Sequence, residues 1–97
     1  MEQLNWRIEA NRLRLAGELE RETLLPLWQQ RETVMTQIDT IDVSALERVD
    51  SAGLALLVHL RQIALQQGKT PSFTGVTDKL RSLIALYNLQ QFITASR

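Results

Sequence analysis

Ninety-seven residues carry eleven basic and eleven acidic side chains, one histidine and no cysteine. The zero formal net charge gives no long-range field to recruit nucleic acid or an acidic membrane. The lack of thiols excludes disulfides and fits a cytoplasmic protein, and one histidine leaves little for a zinc site or a His-dependent triad. A chain of this length supports one domain, residues 1–97, with a real core.

The N-terminus is polar from Glu2 onward and does not read as a signal peptide. Leu4–Glu9 alternates apolar and polar positions, and residues 12–17 do the same, so both read as strands with one wet face. Ala10-Asn11 between them supplies a turn residue that tolerates left-handed geometry and predicts an antiparallel hairpin. Thr23 then caps a predicted helix over residues 24–37, with Pro26 in its first turn, where a missing N–H removes no intrahelical bond. Leu24, Leu27, Trp28, Met35 and Ile38 recur at helical spacing and should face the sheet.

Residues 40–43 are short and β-branched, and predict a central strand ending near Ser44, followed by a loop over residues 45–50. At Asp50-Ser51-Ala52-Gly53 this loop turns into a predicted helix over residues 51–67. Asp50 or Ser51 is its N-cap and Gly68 its left-handed C-cap. Leu54, Leu57, Val58, Ala64 and Leu65 mark one face of that helix, while Leu56, Leu60 and Ile63 mark a neighbouring one. An arc that wide is either deeply buried or covered by another protein. The longest apolar run, residues 52–60 with His59 inside it, falls far short of the roughly 20 residues a membrane helix needs.

Pro71 precedes a predicted strand over residues 72–76. Thr77 caps a helix over residues 78–87, with Leu80, Leu83, Ile84 and Tyr87 on one side and Asn88 as its stop. Residues 89–93 predict a last short turn or helix that packs Phe92 on the body, and Ser96-Arg97 should fray. The order β β α β α β α is an α/β fold, one mixed sheet with helices against it.

Few residues offer chemistry. Gly68-Lys69-Thr70 resembles the end of a phosphate-binding loop, but the motif's first glycine would fall at Ile63, and the three residues end a helix where that motif starts one. His59 follows Ser51 by eight residues, roughly 12 Å along a helix, too far for a base to activate a hydroxyl. An acid–base pair of Asp42 and Asp50 would require a pocket and a substrate-positioning group that the sequence does not supply. Trp6 and Trp28 have no clustered basic neighbours, and Arg48, Arg61, Lys79 and Arg81 are scattered, so neither a stacking platform nor a nucleic-acid surface is indicated. The one specific signature is the loop at Asp50. Its bland explanation is a helix cap, and its functional one is an anion or partner site at a helix N-terminus.

A strand ending in Ile41-Asp42-Val43-Ser44, followed by Val49-Asp50-Ser51-Ala52-Gly53-Leu54 opening a helix, resembles the STAS domain, best known in bacterial anti-sigma factor antagonists. Gly17-Glu18-Leu19, Leu24-Leu25-Pro26-Leu27-Trp28, Gly53-Leu54-Ala55-Leu56-Leu57 and Leu86-Tyr87-Asn88-Leu89 are similar to the STAS subunits of Gram-negative phospholipid transporters. The resemblance implies a mixed sheet of about four to five strands with about three to four helices on it. It also implies a non-enzymatic subunit that binds an ABC-type ATPase and, through it, a permease, peripheral on the cytoplasmic side of the inner membrane. Neither cofactor, metal nor small-molecule ligand is implied. The expected docking residues are Asp50, Ser51, Ala52, Gly53, Leu56 and His59. The alternative within the family is an antagonist switched by a kinase. Antagonists carry Asp-Ser-Ser-Gly, with the second serine as phosphoacceptor, and that position here is Ala52.

Overall fold

The computed structural model describes residues 3–91 and 93. Four strands, β1 (Leu4–Glu9), β2 (Arg12–Leu19), β3 (Thr40–Val49) and β4 (Ser72–Thr74), lie in the order β1-β2-β3-β4. The first two form the expected antiparallel hairpin, while β2, β3 and β4 run parallel. Right-handed crossovers between parallel neighbours taken in sequence order place their helices on one face of the sheet. That face is apolar: Leu13, Leu15, Leu19, Ile41, Val43 and Phe73 are essentially solvent-free. The other face presents Arg7, Arg14 and Arg48, in loose ion pairs with Glu9, Asp42 and Glu18.

Several elements depart from the sequence expectations. In the hairpin, the residue with positive φ is Ala10 (φ 56), not Asn11. The helix expected over 24–37 is broken into α1 (Leu25–Gln29), α2 (Arg31–Val34) and a 3-10 turn (Met35–Gln37). Thr23 does not cap it. Its hydroxyl donates to the Glu18 carbonyl and accepts from the Glu20 N–H, closing the turn that precedes the helix.

The largest difference is β3, which continues through residues 45–49, where a loop was expected. Its register against β2 slips twice: Arg14 to Ala16 spans Asp42 to Ala45, and Gly17 to Glu18 spans Leu46 to Arg48. Each slip is a bulge that adds one residue to β3. The inward positions thus become Ile41, Val43, Leu46 and Val49, which breaks the alternation by which a strand is recognised in sequence. Asp42 consequently sits inside the strand rather than at its end. Eight residues, roughly 25 Å at strand rise, separate it from Asp50, so the two carboxylates form no pair.

Helix α3 (Ser51–Gln66) buries most of its two apolar faces: Leu54, Leu56, Leu57, Leu60, Ile63 and Ala64 all lie in the core, while Val58 is half-buried and Leu65 exposed. Most of the breadth of its apolar arc is thus filled by the chain itself. It ends in a Schellman motif, with Gly68 at φ 79 and the Lys69 N–H bonded to the Ala64 carbonyl. β4 stops at Thr74 rather than 76, because Gly75 turns at φ 71 against Ser44. Helix α4 (Asp78–Leu86) is capped by Thr77, which accepts from the Leu80 N–H. Leu80 and Ile84 are buried as expected, but Tyr87 is half exposed. Asn88 ends this helix in the same way, at φ 58. Phe92, Ser96 and Arg97 lie outside the described residues.

Candidate partner-docking site

Asp50 occupies the junction where β3 passes directly into α3, and its carboxylate is committed to holding that junction. Oδ1 accepts the Gly53 N–H at 2.8 Å as an N-cap, and Oδ2 accepts the Arg21 N–H at 3.0 Å. The Asp50 N–H donates to the Leu19 carbonyl at 3.3 Å. A single side chain therefore couples the end of β2 to the start of α3, satisfying one orphan donor of the helix's first turn. Gly53 is buried in the same place, pressed against the Leu19 carbonyl where no Cβ fits. The close approach it permits is made by the chain's own backbone.

The remaining residues of the expected site separate into exposed and buried. Ser51 is exposed and Ala52 half-buried, whereas Leu56, at 2% exposure, belongs to the core. At about 100° per residue, Ser51, Ala55, Val58 and Gln62 fall within an arc of about 60°. Ser51, Ala55 and Gln62 are exposed and Val58 half-buried, so they make a narrow, small-residue strip along α3. His59 lies beside this strip with its ring centroid 4.7 Å from that of Trp28, the planes tilted by 45°. The Arg31 guanidinium stacks on Trp28 at 3.9 Å and donates from Nη1 to the Trp28 carbonyl at 2.8 Å. Leu25, one turn before Trp28 on α1, is 55% exposed.

The sequence reading missed Ala55, Trp28 and Arg31 as members of this surface. Spacing held the signal for each. Ala55 is four residues after Ser51, and Arg31 three after Trp28, the separations that place helical side chains side by side.

Lys69, the lysine of the phosphate-loop look-alike, reaches from the end of α3 to the Thr36 carbonyl at 2.6 Å, fastening the helix to the 3-10 turn. Among the described residues, no group of three or more His, Asp or Glu side chains is placed to hold a metal. Asp42, whose pKa is displaced, is on β3, away from the strip. Burial alone would raise it. Two hydrogen bonds from Ser44, N–H at 3.0 Å and Oγ at 2.7 Å, and the charges of Arg14 and Arg12 outweigh burial and hold it below the usual value. No described helix is long and apolar enough to cross a membrane.

Comparison with known proteins places this geometry in a family. A family model described as the MlaB STAS domain matches residues 2–94. The chain is 47% identical over 88 residues to the intermembrane phospholipid transport system binding protein MlaB of Escherichia coli, covering 91% of each chain. To the protein of the same name in Haemophilus influenzae it is 36% identical over 101 residues, covering 93% of this chain and 95% of that one. Among solved structures, an anti-sigma factor antagonist from Mycobacterium paratuberculosis superposes with a TM-score of 0.71 at 19% identity, covering 98% of this chain and 85% of the other. The phosphorylated Bacillus cell fate determinant SpoIIAA does so with 0.65 at 14%, covering 100% and 92%. These two share the fold, and the closer sequence matches narrow it: the chain belongs to the MlaB group of the STAS domain family.

Proposed function

We propose that this chain is a non-enzymatic subunit of an ABC-type phospholipid transport system, docking through the exposed strip of α3 onto the system's ATPase. The observation that carries the reading is the division of labour at the β3–α3 junction. Asp50 and Gly53 are consumed in fixing the start of α3, which leaves Ser51, Ala52 and Ala55 as a rigid, small-residue surface for close helix approach. Support for the transport role comes from the names of the curated relatives. Binding of this kind relies on shape and contact rather than long-range attraction, which suits a chain of zero net charge. The chain works as one domain on the cytoplasmic side of the inner membrane, held there by its complex, and needs neither cofactor nor nucleic acid.

Co-purification tests the proposal. Tagged wild type and Ser51→Arg are recovered side by side from membranes solubilised in mild detergent. Recovery of an ABC ATPase and its permease with wild type alone is the expected result. Recovery of a soluble kinase, or of nothing, with folded wild type would overturn the reading. An antagonist switched by phosphorylation would require a hydroxyl at position 52, where this chain has Ala52.

A further inference from the structure

Arg31 carries a half-buried positive charge for which the described residues supply no ion-pair partner. Its Nε is buried and meets no acceptor. Among the described residues no carboxylate lies within 4.0 Å of its guanidinium, and its one hydrogen bond goes to the Trp28 carbonyl. By contrast, the ion-paired arginines Arg7, Arg14, Arg48 and Arg81 are at least half exposed on their side chains, where water can solvate them. Partial desolvation without a partner is unfavourable for a guanidinium, and stacking on Trp28 offsets only part of it. Trp28 in turn leans on His59, at the flank of the proposed docking strip, with Leu25 exposed one turn away. Aromatic and arginine side chains packed together have the composition of an affinity hot spot.

We infer that Arg31, held flat on Trp28, receives an acidic side chain of the protein that docks along α3. This rests on the reading under Proposed function and names the chemistry its partner must present. A protein rather than a free anion is indicated by the elements that carry the stack. Leu25 on the helix of Trp28, and Ala55 and Val58 on the helix of His59, offer apolar and small contacts that an inorganic ion does not use. A carboxylate set against them and bonded to the free edge of the guanidinium would both satisfy the charge and fix the docking register.

The test measures association of the purified chain with the purified ATPase subunit of its transporter by biolayer interferometry, at about 50 and about 300 mM NaCl. Wild type, Arg31→Gln, Arg31→Lys and Ser51→Arg are compared, with the thermal midpoint of each. Arg31→Gln is expected to bind about tenfold more weakly and to lose most of the salt dependence, while Arg31→Lys falls between. Its midpoint should equal or exceed that of wild type, whereas a merely structural arginine would lower it. If Ser51→Arg abolishes binding but Arg31→Gln binds as wild type does with the same salt dependence, the docking surface stands and this inference fails. If wild type itself does not bind the ATPase, the proposed function falls and takes this inference with it. Should Arg31→Gln not fold, wild type decides: an affinity equal at both salt concentrations overturns the ion pair, and one that weakens with salt supports it.

Discussion

Gly53 sits against the backbone carbonyl of Leu19 so tightly that a Cβ on it would come well within 3.0 Å of that oxygen. The same carbonyl accepts the Asp50 N–H, so strand end, helix cap and glycine form one joint. Gly53→Ala would have to push α3 away from β2, since the atoms it meets are mostly backbone and cannot rotate aside. Overpacking of this kind costs about 1–3 kcal/mol, and the rigid neighbour puts this site near the upper end. Urea unfolding should show the midpoint fall with little change in slope. A loss below about 0.5 kcal/mol would mean that the joint yields more easily than its geometry implies.

At the other end of the sheet, Ala10 holds φ 56 in an exposed two-residue turn. A left-handed backbone costs an L-residue about 1–2 kcal/mol, and glycine escapes it. Ala10→Gly should therefore stabilise the protein by about 0.5–1 kcal/mol despite glycine's larger unfolded-state entropy. Asn88→Gly, at φ 58 at the end of α4, should gain less, because asparagine already tolerates this region. Thermal midpoints of the two variants test the order.

Asp42 gives the fold an acid-sensitive element. Its pKa is lowered from 3.8: burial opposes ionisation, but the Ser44 hydrogen bonds and the arginine charges outweigh it. A folded pKa below the unfolded one makes a stabilising contribution that is complete above the unfolded value and is lost as pH falls through the folded value. Stability measured from neutral pH down to about pH 2 should thus drop on the acid side, and Asp42→Asn should flatten that part of the drop. An acid limb identical in the two proteins would assign the sensitivity to other carboxylates.

The hairpin, α3 with both its caps, and the cap of α4 were legible in the sequence because each is specified locally. Alternation, an Asp four residues before a buried leucine, and a glycine after the last helical turn need no tertiary information. Residues 45–49 were not legible as strand, since two bulges set the inward positions three residues apart and no local rule foresees a bulge. Likewise the role of Gly53 depends on Leu19, distant in sequence. The sequence left open whether α3's apolar excess is buried in the core or covered by a partner, for a related reason. Burial against the chain's own core and burial against another protein leave the same pattern in the sequence.

Leu56 and His59 were read together as one docking flank, and the structure assigns them different consequences. Leu56 is 2% exposed, so Leu56→Ala removes core packing and should cost about 2–5 kcal/mol of stability, lowering recovery of complex only through loss of folded protein. His59 is half-buried and touches Trp28 from the edge of the exposed strip. His59→Ala gives up one ring contact, about 0.5–1.5 kcal/mol, but removes support from Trp28 and hence from the Arg31 that lies on it. Paired measurements of urea stability and of binding to the ATPase should therefore move in opposite proportion: Leu56→Ala with a large stability loss and, once corrected for folded fraction, unchanged affinity, and His59→Ala with a small stability loss and clearly weaker affinity. If the two variants changed affinity equally at equal folded fraction, the division of this helix into a core face and a docking strip would be wrong.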